Sequence, residues 1–241
     1  IDRQKFLSLL NKTKISMSND ETRHYLNGIF IHSTISNKRS YLTGVATDSH
    51  RLSSSSIPVE NLNEFKSFIL PKKAVFQLCN LLQESNEKVS LNSSETKIQF
   101  KIGNAKIISK IIDGKFPDYS KVVPKNNNKI LSINTKDFMN SIERVTTVSI
   151  DRKEGVKLTL GKDNVQLFVN STSSGEGKES LNANYDSDDL TISFNSRYLL
   201  DIASEIEDEK LVMNLYDAVS PVLIQDNKDK NSYFVIMPMK I

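Results

Sequence analysis

Apolar residues recur at helical spacing in four stretches of the chain. From Asp2 to about Met17, Phe6, Leu9, Leu10 and Met17 share one face and Lys5, Ser8 and Lys12 the other. After Pro71, Val75, Leu78, Cys79 and Leu82 stand opposite Lys73, Gln77 and Asn80. From Asn134, Phe138, Ile142 and Val145 oppose Lys136, Asn140 and Arg144; from Asn195, Leu199, Ile202, Ala203 and Ile206 oppose Arg197, Asp201 and Ser204. Such one-sided patterns predict amphipathic helices. Asp, Asn and Pro suit their starts, because the side-chain oxygen accepts a first-turn amide hydrogen and proline already holds a helical φ.

Between these helices, alternating or β-branched runs predict strands at Tyr25 to Ile35, Tyr41 to Thr47, Lys66 to Leu70, Lys97 to Ile102, Lys106 to Ile112, Val156 to Leu160, Val165 to Val169, Leu190 to Phe194, Leu211 to Leu215 and Tyr233 to Met237. Polar turns such as Asn37-Lys38, Gly103-Asn104 and Lys162-Asp163-Asn164 separate them. Helix starts near 2, 71, 134 and 195 give one helix and about four strands four times over, the mark of an internal repeat. The fold class expected is α+β, with two similar domains, 1–119 and 120–241, each of two helices packed on antiparallel sheets. Pro124 to Asn128 is the expected linker. Each helix is polar on one side, so sheet covers the other and the polar stripes stay exposed.

Composition narrows this picture. The 241 residues are 38% hydrophobic and 25% charged, which suits a folded globular chain. One cysteine, Cys79, excludes an internal disulfide and a metal site of paired cysteines. No uncharged apolar run approaches the ~18 residues of a membrane span, so no membrane partner is expected. The chain begins without methionine, inside a helix start, and is read as a fragment of a longer one.

The net charge of +3 hides an asymmetry. Before residue 120 there are 17 Lys and Arg against 11 acids; after it, 15 against 18. A modest basic excess is ordinarily a solvated surface. Here Lys5, Lys12, Lys73, Lys136, Arg144 and Arg197 are all expected on solvent faces of helices, a surface that meets phosphates without reading bases. No aromatic ladder for stacking single strands accompanies them, which favours duplex.

Catalytic motifs are nearly absent. Gly175-Glu176-Gly177-Lys178-Glu179 fails as a phosphate loop, with Thr172 where its first glycine belongs and Glu179 where Ser or Thr belongs, and reads as a hairpin tip. Asp48, Ser49 and His50 have the residue types of a hydrolase triad, yet sequence neighbours at a strand end project in different directions. His24 and His32 lack the carboxylate partners of metal ligands.

Four strings occur in an informative order: Arg23-His24-Tyr25-Leu26-Asn27-Gly28, Ala46-Thr47-Asp48-Ser49-His50-Arg51-Leu52, Asp113-Gly114-Lys115-Phe116-Pro117-Asp118-Tyr119 and Met237-Pro238-Met239-Lys240-Ile241. Their order and spacing resemble the bacterial β sliding clamp family, the processivity subunit of DNA polymerase III, over what look like its second and third domains. The first domain is expected to be missing. The resemblance implies the DNA-clamp fold, in which two three-domain chains close head to tail into a ring around duplex DNA, and a non-catalytic role in replication without cofactor or metal. It implies a cytoplasmic, nucleoid-associated protein.

By the same resemblance His24 and Tyr25 lie on a loop that contacts DNA, with Lys72 and Lys73 nearby; half-buried strand packing is the other reading of Tyr25. A groove for short linear peptides of the DNA polymerase catalytic subunit, the clamp loader and repair proteins takes its wall from Leu26, Thr47, His50, Arg51, Leu52, Pro117, Lys121, Val122, Val235, Met237, Pro238 and Met239, with Pro221 at its edge. Apolar walls bury a peptide's anchors, and flexible methionines let one pocket serve several ligands. The alternative for Met237 and Met239 is the end of a core strand. Ser49 stands where the family commonly has glycine, Pro221 where serine is common, and Lys240-Ile241 where Arg-Leu often closes the chain. Thr147 and Val148 are the positions expected to meet a neighbouring chain; without the first domain, this piece is expected to be monomeric. Two other readings remain: a sequence-tolerant DNA-binding module that does not encircle DNA, and a hydrolase using His50.

Overall fold

Three of the four helices begin on a side-chain cap. In the computed structural model, which describes all residues except 61, 63–64, 149–154, 172–174 and 241, Asp2 accepts the amide hydrogen of Lys5 (2.9 Å), Asn134 that of Asp137 (3.0 Å) and Asn195 that of Tyr198 (3.2 Å). Each bond satisfies one of the donors a helix leaves unpaired at its start. The second helix follows Pro71, whose φ of -62° leads into the first turn with no side-chain bond.

The chain divides into two units, Ile1–Asp118 and Tyr119–Ile241. The first runs α1 (Arg3–Lys14), a 3-10 turn (Glu21–Leu26), β1 (Gly28–Ser36), β2 (Arg39–Thr47), β3 (Arg51–Pro58), β4 (Phe68–Pro71), α2 (Lys72–Glu84), β5 (Val89–Ser93), β6 (Lys97–Ile102) and β7 (Ala105–Lys110). Within it β3-β2-β1-β4 form one antiparallel array and β5-β6-β7 a second. Phe6, Leu9 and Leu10 of α1 and Val75, Leu78 and Leu82 of α2 share a core with Ile29, Ile31, Leu42 and Phe100. Burying each such side chain contributes about 1.5–3 kcal/mol.

The second unit runs a 3-10 turn (Tyr119–Lys121), β8 (Lys129–Asn134), α3 (Thr135–Val145), a 3-10 turn (Thr146–Val148), β9 (Gly155–Gly161), β10 (Asn164–Ser171), β11 (Gly175–Asn182), β12 (Asn184–Tyr185), β13 (Leu190–Asn195), α4 (Ser196–Ala203), β14 (Lys210–Leu215), β15 (Val222–Asp226) and β16 (Ser232–Ile236). Its arrays are β11-β10-β9-β13 and β12-β8-β14-β15-β16. Helix, four-strand array, helix and three-strand run recur in the same order as in the first unit. The likeness extends to an edge: β8 pairs with β14, and Ile1 exchanges backbone bonds with Val89 of β5 at 2.8 and 3.0 Å.

The structure corrects several expectations. The first helix ends at Lys14, because Ser16 leaves it to share a 2.6 Å hydroxyl contact with Ser53 in the interior. Tyr25 lies in a 3-10 turn, with β1 starting at Gly28. Gly175-Glu176-Gly177-Lys178-Glu179 belongs to strand β11, where Ser171 pairs with Gly175; the connection containing Thr172 lies outside the described residues. Pro124 to Asn128 falls inside the second unit, where the Asn127 amide donates to the carbonyls of Asn214 (2.7 Å) and Pro221 (2.9 Å). A connection tied down in this way is part of its unit's packing.

Candidate functional site

In the first unit the chain between β2 and β3 is shaped by its own side chains. The Asp48 carboxylate accepts the amide hydrogens of His50 (2.9 Å) and Arg51 (3.0 Å) through one oxygen and the Arg51 Nε hydrogen (3.1 Å) through the other. Thr47 Oγ1 donates to the Arg51 carbonyl (2.7 Å) and accepts from the Ser49 amide (3.1 Å). These bonds hold Ser49 at φ +80°, a backbone region that favours glycine. They also direct Asp48 at Arg51 and at the backbone, which is the reverse of a relay running from Asp48 through His50 to Ser49.

Across this turn stands Arg23, a residue that the sequence reading quoted but gave no role. Its Nε donates to Asp20 Oδ2 (2.8 Å) and its Nη1 to Ser49 Oγ (2.5 Å). Bonds from Thr22 and Arg23 bring the Asp20 carboxyl down to about 2. His24 is exposed and its Nε2 lies 3.0 Å from the Asp113 carbonyl; Tyr25, half-buried, meets the His24 ring edge-on. Gly114 closes this corner, since a Cβ there would stand 3.0 Å from Cβ of Tyr25.

The basic residues divide by environment. Lys5, Lys73, Lys136 and Arg197 are exposed on their helices. The ammonium of half-buried Lys72 is bonded to the Asn19 side-chain oxygen. Lys12 contradicts its expected place on a solvent face: it is 3% exposed, on a helix packed against β3, β2 and α2. Arg144 is exposed but engaged. Glu179 on β11 takes its Nε (3.0 Å) and Nη2 (2.5 Å), and Ser141 donates to the same carboxylate at 2.8 Å. Those bonds, Arg144 first, hold the Glu179 carboxyl below its usual range.

The residues assigned to the peptide groove also divide. In the first unit Leu26 and Leu52 are buried, Thr47 and Arg51 half-buried, and His50 and Pro117 exposed. In the second unit Val235 is buried, Pro221 and Pro238 are half-buried, and Lys121 and Val122 are exposed. Leu26, Leu52 and Val235 therefore lie beneath the surface that their neighbours present. β16 ends at Ile236, and beyond it Met237 and Met239 are 38% and 37% exposed, which contradicts their reading as the end of a core strand. The tail is anchored by the Met239 amide, which donates to the Ser193 carbonyl at 2.7 Å. Val219, 64% exposed beside Pro221, is a further apolar surface residue that the sequence pattern did not mark. Thr147 is exposed, its hydroxyl donating to the Arg144 carbonyl (2.7 Å), and Val148 is half-buried. An open cleft of about 1040 Å³ in the first unit is lined by the parallel rings of Phe30 and Phe116 and by Asp113 and Gly114, the residues beside His24 and Tyr25.

Two family descriptions match the chain end to end: DNA polymerase III beta subunit, central domain, over residues 1–118, and DNA polymerase III beta subunit, C-terminal domain, over residues 120–240. The chain belongs to the DNA polymerase III beta subunit family. A beta sliding clamp of Caulobacter vibrioides is 34% identical over the whole chain, which spans 65% of that relative's length. The beta sliding clamp of Escherichia coli is 30% identical over 97% of the chain and 63% of its own length. Among solved structures, a Bartonella birtlesii sliding clamp bound to griselimycin superposes with a TM-score of 0.95 at 41% identity, covering 99% of this chain and 65% of that one. A Caulobacter crescentus beta sliding clamp gives 0.97 at 34% identity, covering 100% and 64%. The duplicated α+β plan described above is thus that of the DNA polymerase III beta subunit family, and the order of its two units is the family's order of central and C-terminal domains.

Proposed function

We propose that the protein to which these residues belong is a non-catalytic processivity factor of bacterial DNA replication, acting in the cytoplasm on the nucleoid. It encircles duplex DNA as a head-to-tail homodimeric ring, with Thr147 and Val148 near a ring-closing contact, and recruits DNA polymerase, clamp loader and repair proteins through short linear peptides. Family membership over both units supports this reading, and the exposed methionine pair beyond β16 carries its peptide-binding part. Two flexible, polarizable side chains on an anchored tail can bury the aliphatic or aromatic anchors of many sequences.

His24, Tyr25, Lys5, Lys72, Lys73, Lys136 and Arg197 are the proposed DNA contacts. Scattered cations without a base-reading constellation make weak, sequence-blind phosphate contacts, which suits sliding. The Thr47–Leu52 turn is proposed to meet the partner peptide through His50 and Arg51.

The test is titration of a fluorescent peptide carrying a leucine and phenylalanine anchor pair against the native chain and Met237→Ala. Loss of the anchor contact should cost about 1 to 3 kcal/mol. Equal affinity for both proteins would refute the peptide assignment.

A further inference from the structure

The turn between β2 and β3 is already closed by bonds of its own, from Asp48 and Thr47. A bond also reaches it from elsewhere in the unit, and that bond needs a hydroxyl at position 49: Arg23 Nη1 donates to Ser49 Oγ. Glycine, which suits φ +80°, has no atom to offer there. The serine thus holds an unfavourable backbone region and gains the Arg23 contact. Arg23 is fixed at its other edge by Asp20, which Thr22 also holds through its amide (2.9 Å) and hydroxyl (2.6 Å) hydrogens. Two of the guanidinium's three nitrogens are committed within the unit, and Nη2 is left without a partner among the described residues.

A guanidinium recognises a carboxylate best when it presents two parallel N–H groups as a fork. Asp20 occupies Nε and Ser49 occupies Nη1, so neither fork face is fully available. We infer that Ser49 is a specificity-determining residue: its hydroxyl parks Arg23 along the rim of the turn and so prevents this chain from favouring partner peptides that carry an acidic residue beside their apolar anchors. Asp20, Arg23 and Ser49 act as a latch. A glycine at 49 releases Nη1 and restores a fork to a passing carboxylate. Ser49 is a positioning residue here, acting through Arg23. The inference rests on the proposal that the Thr47–Leu52 turn meets a partner peptide.

Three fluorescent peptides with the same leucine and phenylalanine anchors are used: one with aspartate before the anchors, one with aspartate after them, and one with asparagine at both places. Affinities are measured for the native chain, Ser49→Gly, Ser49→Ala and Arg23→Gln, and for Ser49→Gly combined with Arg23→Gln. The native chain should bind the three peptides within about twofold. Ser49→Gly and Ser49→Ala should each shift the ratio towards one aspartate peptide by roughly fivefold, the scale of a solvent-exposed ion pair. Adding Arg23→Gln should return the ratio to the native value. Ser49→Ala keeps the side-chain carbon and removes only the hydroxyl, so agreement between it and Ser49→Gly assigns the effect to the hydroxyl. A purely structural role for Ser49 would weaken all three peptides alike.

An unchanged ratio in both Ser49 variants overturns the latch, as does an acid preference in the native chain that Arg23→Gln removes. With Met237→Ala as a control, loss of affinity for all three peptides at an unchanged ratio rejects the latch and keeps the peptide site. Binding that Met237→Ala leaves untouched rejects the tail anchor, while a ratio that still follows Ser49 and Arg23 keeps the latch. Absence of binding to the native chain rejects both.

Discussion

Arg144 on α3 and Glu179 on β11, 35 residues apart in the chain, form a two-point contact, Nε to Oε2 at 3.0 Å and Nη2 to Oε1 at 2.5 Å. The carboxylate occupies the guanidinium in the manner of a phosphate. An arginine that reads in sequence as a free cation on a helix face is therefore matched by an acid from the neighbouring strand. Arg144 is well exposed and Glu179 partly so, so solvent screens the pair and it contributes little to stability.

Glu179→Gln should release this charge. In duplex DNA titrations over a salt series, the log–log slope should steepen by roughly one unit, the contribution of one added phosphate contact. An unchanged slope would show that Arg144 makes no phosphate contact even when Glu179 no longer holds it.

Lys12 and Lys5 sit on the same helix with opposite expectations. Lys12 is buried and Lys5 exposed. In urea unfolding, Lys12→Ala should destabilise the chain by about 1–3 kcal/mol, because it strips a packed aliphatic stem and its polar head from the interior. Lys5→Ala should stay within about 0.5 kcal/mol of the native chain.

Gly28 opens β1 where β4 passes closest. A Cβ added there would stand 2.2 Å from the Leu70 carbonyl oxygen, a backbone atom that cannot swing aside. Gly28→Ala should cost about 3 kcal/mol or more, from displacement of a paired strand, and lower the thermal midpoint accordingly.

The Asp20 carboxyl sits at about 2, against an ordinary 3.8, because Thr22 and Arg23 stabilise its charged form. A depressed carboxyl contributes stability that is complete above its unfolded value and disappears as pH falls through its folded one. The stability difference between the native chain and Asp20→Asn should be constant above pH 3.8 and shrink as pH falls to about 2. A difference that persists unchanged at pH 2 contradicts stabilisation of the Asp20 carboxylate by its bonds from Thr22 and Arg23.

The helices were legible in sequence because capping and one-sided apolar spacing are local: Asn134 and Asn195 each cap the helix that their position announces. β3 was not. Its run Ser53-Ser54-Ser55 carries no apolar signal, yet all three serines are buried. A hydroxyl partner makes the burial of Ser53 tolerable, Ser16 at 2.6 Å, and that partner comes from distant sequence. β11 escaped because an outermost strand with exposed polar side chains alternates too weakly to be seen. Lys12 misled because helical spacing says which residues share a face and not how much of the helix the rest of the unit covers. Among the residues proposed for a site, Met237 and Met239 stand out through their string and are exposed, while the contact of Arg23 with Ser49 depends on a turn geometry that no spacing encodes.

The proposed ring would hold DNA by topology, which can be followed with the full-length protein on DNA. The protein is loaded by the clamp loader proposed as its partner onto a nicked circular plasmid, freed of unbound protein, and followed at moderate salt before and after a single restriction cut. Retention on the circle and loss from the linear molecule within minutes is the predicted result, because weak, sequence-blind phosphate contacts hold a ring only while the DNA has no ends. Equal retention on circle and linear DNA, with a strongly salt-dependent affinity for short duplex, would contradict it and favour a module that binds without encirclement.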